Sequence, residues 1–265
     1  QMKNLIIALS ALAITVSSCR KIIDIKLEEG DKKTVIEASL YEGTNDFRVK
    51  ITQTGNFFGD NSPVIINNAT VNLNDGVSTF PLSFTGNGNY YLLNFNAVSG
   101  TEYTLTVDEN GNSFEASVTV PTLVPIDTIT YQFVPDNIFT DEGYLSQLEF
   151  DDPAGEKNFY RLFVTIAEST YGGIEDLILL DDGFTDGNRV EFPTFVAGVA
   201  QLNDTVKIEL HSCDEATLTY LEGVDAVLGG GNGAPPANPD GNFNNGALGN
   251  FNVYAISEKT VVIVP

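Results

Sequence analysis

The sequence predicts a mainly β protein: an N-terminal immunoglobulin-like β-sandwich, then a second β-sandwich-like domain with one helix. Three observations predict it. Short alternating runs recur at close spacing, separated by Asn/Asp/Gly turn signals. Helical spacing shows in a single stretch near the carboxyl end. The 265 residues are 42% apolar, enough to bury a core in two modest domains.

Lys33–Tyr41 reads as the first strand. In Phe47–Thr54, Phe47, Val49 and Ile51 share one face, and Arg48, Lys50 and Thr52 the other. Asn56–Val64 is a Gly/Asn/Asp loop. Ala69–Leu73 ends at Asn74-Asp75-Gly76, a hairpin signal because these residues tolerate positive φ. Val77–Phe84 returns, and Gly86–Asn89 turns again. Tyr90–Phe95, Glu102–Val107 and Phe114–Val120 complete the sandwich, with turns at Ser99-Gly100 and Glu109–Asn112. The first domain is therefore expected over 33–121.

Pro121 and Pro125 stiffen the crossing into a second domain, 126–265. Asp127–Val134, Leu145–Phe150, Asn158–Ile166, Leu177–Leu180, Arg189–Phe195 and Thr205–His211 read as strands. The period then changes: Leu218, Leu221 and Val224 or Asp225 follow helical spacing over 214–228. Asp214 or Ser212 can cap the start, and Gly229-Gly230-Gly231 stops it. Residues 229–250 form a Gly/Asn/Pro-rich loop, and Phe251–Ile256 and Val261–Val264 close the chain as strands.

The first twenty residues carry an address. Met2-Lys3-Asn4 is a short basic start, Leu5–Val16 an apolar run too short to span a bilayer, and Val16-Ser17-Ser18-Cys19 a lipobox ending. The expectation is a signal peptide over 1–18, diacylglycerol on the Cys19 thiol, and a charged tether over 19–32. Two or three acyl chains would hold the body firmly at a membrane. Arg20 follows Cys19 where an Asp would favour inner-membrane retention. The outer membrane is therefore expected, with the surface face favoured over the periplasmic one.

The net charge is −23, and removing the leader takes away Lys3 and no acid. Such a surface repels nucleic acid and anionic headgroups. With Cys19 lipidated, Cys213 stands alone and no disulfide framework exists. His211 is the only histidine, and no Gly-x-Ser-x-Gly elbow or zinc-spaced cluster accompanies it. Adjacent carboxylates are abundant, but glycosidase chemistry needs two facing across a cleft, which adjacency does not supply. No enzyme and no cofactor beyond the covalent lipid are expected. Calcium is the one cation considered: Asp181, Asp182, Asp186 and Asn188 place oxygen donors in one loop, although turn chemistry explains them as well.

The order of several short motifs resembles a Bacteroidota lipoprotein family known as domain of unknown function 4249. The lipobox Cys19 is followed by Thr34-Val35-Ile36-Glu37-Ala38, then Ile51-Thr52-Gln53-Thr54. Asn68-Ala69-Thr70-Val71-Asn72-Leu73, Gly88-Asn89-Tyr90 and Gly100-Thr101-Glu102-Tyr103-Thr104-Leu105 come next. Tyr220-Leu221, Pro235–Pro239 and Gly249-Asn250-Phe251 close the series. The closing run departs from the family's Gly-Tyr-Phe type. The resemblance implies an accessory lipoprotein of a TonB-dependent receptor or an outer-membrane assembly. It supplies no catalytic residues. On this reading the two long loops are contact surfaces, with Phe57, Phe58, Phe243 and Phe251 either as aromatic anchors or closing the ends of the sandwich. A surface ligand-binding protein is the alternative, with a patch of Tyr90, Tyr91, Tyr171 and Asp181.

Overall fold

The computed structural model describes residues 31–55, 62–136, 138, 140–229 and 238–265. The expected signal peptide, almost all of the tether, Cys19, Phe57 and Phe58 lie outside the described residues. Lys32–Pro265 forms one compact unit.

In chain order the strands are β1 (Thr34–Tyr41), β2 (Gly43–Gln53), β3 (Val64–Ile65), β4 (Thr70–Asn74), β5 (Thr79–Pro81) and β6 (Ser83–Gly86). There follow β7 (Asn89–Ala97), β8 (Glu102–Glu109), β9 (Asn112–Thr119), β10 (Thr128–Val134), β11 (Gly143–Asp151) and β12 (Phe159–Ile166). The last are β13 (Ser169–Tyr171), β14 (Ile178–Asp181), β15 (Arg189–Pro193), β16 (Thr205–Cys213) and β17 (Leu248–Val262); helix α1 (Glu215–Leu228) joins β16 to the final loop.

One long sheet runs β13-β12-β16-β17-β1-β2-β7-β6, with β14 also on β12 and β3 on β2. Two smaller sheets, β5-β4-β8-β9 and β10-β11-β15, cover one of its faces. Alternation decides which side chains do so. Phe47, Val49 and Ile51 are at most 2% exposed, as their period-2 pattern requires. They pack with Leu73, Leu105, Val107 and Phe251 in a first core. Leu162, Val164, Ile208, Leu210, Leu148 and Phe150 form a second. Phe251 and Val253 face the first core, and Ala255 continues the same face into the pairing with Ser212. Both cores therefore lie on one side of the long sheet, leaving the other side for α1.

The crossing at Pro121–Pro125 separates two cores but not two sheets. β17 pairs parallel with β1 and antiparallel with β16, so the last strand belongs to both halves. The expected strand over 77–84 divides instead. β5 pairs with β4, β6 pairs with β7, and the chain changes sheet between them at the buried Leu82. The two expected closing strands are one 15-residue strand, β17. The final loop folds back: Phe243 and Ala247 enter the first core, and Asn242 exchanges hydrogen bonds with the Phe251 backbone at 2.8 and 2.9 Å.

α1 begins where expected. Asp214 is its N-cap, its carboxylate accepting from the Thr217 amide at 2.9 Å, and Leu218 and Leu221 are buried. The Thr217 hydroxyl accepts from the Val253 amide, seating the helix on β17. Among the described residues no helix is long and apolar enough to cross a membrane.

Candidate functional site

The uncovered face of the long sheet is built from rows of residues that the strand register places side by side. Tyr41 stands beside Tyr254, and Tyr254 beside Cys213. Asn252, Ser39, Arg48 and Tyr91 form a second row across β17, β1, β2 and β7. α1 covers only part of this face. Beside it lies an open cleft of about 640 Å³ lined by Glu37, Ser39, Asp46, Arg48, Tyr91 and Arg161, with Tyr41, Tyr254 and the helix residues Tyr220, Leu221 and Val224.

Several cleft groups are held firmly. Tyr41 stacks on Tyr254 with ring centroids 5.5 Å apart. Arg161 donates through Nε and Nη2 to the Gly172 carbonyl at 3.3 and 2.9 Å, and its guanidinium lies 4.4 Å over the Phe163 ring. Burial raises the hydroxyl pKa of Tyr41, Tyr220 and Tyr254, so all three are neutral hydrogen-bonding groups at neutral pH.

His211 and Cys213 lie on the same face of β16, beneath this aromatic layer. The His211 ring packs between Phe163 and Tyr254 at 4.8 and 5.6 Å, and Nε2 meets Glu209 at 3.0 Å. Burial lowers its pKa, so it is neutral at pH 7. Burial pushes the Cys213 thiol up, which removes the thiolate a nucleophile needs. Both are packing residues in this setting.

The acidic turns converge in a way their sequence positions did not reveal. Asp152, Asp182 and Asp186 place one carboxylate oxygen each within 4.8 Å of the others, and Asp152 and Asp182 are 4% and 7% exposed. Asp152 accepts from the Tyr160 hydroxyl at 2.5 Å and the Gly187 amide at 3.3 Å. Asp182 accepts from the Asn158 amide, and Asp186 from the Gly155 amide. These bonds tie the 152–158 turn to the 182–188 turn. Of the four residues expected around calcium, Asp182 and Asp186 come together with Asp152. The Asp181 carboxylate instead closes its own turn onto the Gly183 amide, and the Asn188 side chain bonds the Asp186 carbonyl. Hard cations take six to eight oxygens, and of the six carboxylate oxygens here three already accept from backbone amides and one from the Tyr160 hydroxyl.

Phe243 and Phe251 are 7% and 0% exposed, and Phe251 packs on Phe47 at 5.7 Å. They close the sandwich and present no ring to a partner, because the loop folds onto the core beneath it. Of the expected ligand patch, Tyr91 lines the cleft. Tyr90 is a core residue, its hydroxyl accepting from the Ala69 amide, and Tyr171 packs against the second core. Tyr41, Tyr220, Tyr254, Arg48 and Arg161 were missed as site residues. Their signal is faint: Tyr41, Arg48, Arg161 and Tyr254 are aromatic and basic residues at the outward positions of strands whose inward positions are apolar, and Tyr220 lies on the helix beside them.

A family described as "Domain of unknown function (DUF4249)" matches residues 20–260. The chain belongs to this family. The DUF4249 match thus spans both cores, the helix and the cleft. None of the curated proteins matches the chain. One similar solved structure is that of a candidate carbohydrate-binding protein from Bacteroides uniformis ATCC 8492. It shares 11% identity, covering 87% of this chain and 98% of that one, at a TM-score of 0.26.

Proposed function

We propose that this DUF4249 chain is a non-enzymatic lipoprotein, anchored to the outer membrane through Cys19, that binds on behalf of a TonB-dependent transporter or outer-membrane assembly. The observation that carries the binding reading is the cleft on the uncovered face of the long sheet. It combines fixed aromatic rings, two arginines and neutral hydroxyls on a rigid support, which is how recognition sites are built. Its ionisable groups do not make a nucleophile–base pair, and the nearby thiol and imidazole are packed away. The lipobox supports the anchor, and the family match accords with the accessory role that the motif order implies.

The partnership is tested by detergent extraction of the native envelope and pull-down of the lipidated protein. The expected result is recovery of a TonB-dependent transporter above a Cys19→Ser control. Equal recovery from both would count against it. Proteinase treatment of intact cells tests the address: digestion of the body places it on the surface, and protection until the outer membrane is breached places it inside.

A further inference from the structure

Resting on the binding reading above, we infer that the cleft takes an acidic oligosaccharide, an extended sugar chain carrying carboxylates. The inference starts from how this protein spends its arginines. The chain has 36 acidic against 13 basic residues, so an arginine has carboxylates in plenty to pair with. Arg189 does so, reaching Asp127, Glu149 and Asp151 at 2.7, 2.9 and 3.2 Å. Arg48 and Arg161 make no ion pair among the described residues, and both line the cleft. Arg161 is also half-buried, fixed by the Gly172 carbonyl and the Phe163 ring. Holding a guanidinium out of water without a carboxylate costs free energy that an anionic ligand would recover. A planar fork with N–H groups to spare is suited to a carboxylate, which it can grip bidentately.

The two acids in the cleft do not cancel this. The Asp46 carboxylate accepts from the Asn94 amide at 2.9 Å, which pins the bulge in β2. Glu37 faces Lys50 across the β1–β2 pair, on the same side of the sheet.

Placement fixes the shape of the ligand. Arg161 is on β12 and Arg48 on β2, four strands along in the order β12-β16-β17-β1-β2. At ~4.8 Å per strand, that is about 19 Å across the sheet. One carboxylate cannot serve both, whereas a chain with repeated carboxylates can. Tyr41 lies between them, stacked on the buried Tyr254 that backs it, and Tyr91 and Tyr220 are half-buried with hydroxyls that make no hydrogen bond among the described residues. Flat rings with free hydroxyls suit a ring-shaped, hydroxyl-rich ligand. A peptide fits less well. The strands beneath the cleft, β16, β17, β1 and β2, are paired on both sides, so no edge is open here for a peptide to join as a strand.

The test is calorimetric titration of the full lipidated chain in detergent with three probes of similar length: an oligogalacturonate, a neutral cello-oligosaccharide and a poly-glutamate peptide. The oligogalacturonate is expected to bind, at least tenfold more tightly than the other two, and more weakly as salt rises. Arg48→Ala is expected to weaken it about tenfold. Arg48 is exposed, so this variant keeps the fold, and thermal unfolding verifies that. Arg161→Lys keeps a charge but loses the fork, and should also weaken binding. Oligogalacturonate binding that survives Arg48→Ala and Tyr91→Ala unchanged would overturn the assignment to this cleft. Equal binding of the neutral sugar, lost in Tyr91→Ala, would overturn the acidic ligand and leave the cleft as a binding site. Equal binding of poly-glutamate would point to a peptide and overturn the sugar. Silence of all three probes would overturn the inference, while the binding reading beneath it stands or falls separately on the envelope pull-down.

Discussion

Phe251→Ala tests whether the final strand locks both halves of the molecule together. Phe251 is 0% exposed, packs on Phe47 at 5.7 Å, and lies on the strand that pairs with both β1 and β16. Deleting the ring removes its burial and leaves a cavity that a sheet paired on both sides cannot collapse into. Such changes cost about 3–5 kcal/mol. Against a typical total of roughly 5–15 kcal/mol, this is a large share. A domain of this size loses roughly 2–4 °C of Tm per kcal/mol, so the expected fall is roughly 6–20 °C. The assay is thermal and urea unfolding followed by far-UV and near-UV circular dichroism, which reports the tyrosines and phenylalanines of both cores. The expected result is one transition, shifted and coincident by both signals. A loss below about 1 kcal/mol would refute the packing argument. A split transition, with one core melting while the other persists, would refute the claim that β17 makes the halves cooperative.

Further outcomes follow from particular groups. Asp214→Ala removes the helix cap and should cost about 1 kcal/mol, whereas Asp214→Asn should cost a few tenths; urea midpoints measure both. Burial, with Asp182 and Asp186 adding repulsion, raises the Asp152 pKa above the ordinary carboxylate value. The folded state therefore holds this proton more tightly than the unfolded state. The stability it contributes is full below the unfolded value and lost as pH rises through the folded one. Asp182→Asn removes one neighbouring charge and should stabilise the protein at pH 7 more than at pH 4, read as Tm against pH; an equal effect at both would refute the repulsion. Cys213 should resist iodoacetamide in the native protein and react fully in denaturant, by mass spectrometry, because its thiol is 4% exposed with a raised pKa.

Much of the architecture is legible along the chain because it is local. Phe47, Val49 and Ile51 announce a buried strand face by alternation alone, and Asp214, Leu218 and Leu221 announce a capped helix by spacing. The strand-to-strand switch at Leu82 is hidden, because both pieces alternate and only their partners differ. Gly249 shows the same limit. It falls within the loop expected over 229–250, yet it sits in β17 with φ +88, and a Cβ there would lie 2.1 Å from the Ile36 carbonyl oxygen. It is glycine because another strand's backbone passes close by.

The sequence by itself determined most of the strands, the helix with its cap and the acidic character of the chain, since each depends on neighbouring residues or on composition. Only the tertiary structure decided that both cores share one sheet, that Phe243 and Phe251 are interior, and that Arg48, Arg161, Tyr91 and Tyr254 meet in one cleft. Those residues lie far apart in the chain, on strands β2, β12, β7 and β17. Register between non-adjacent strands brings them to one face, and register is settled by pairing and packing across the whole sheet, which no local pattern encodes.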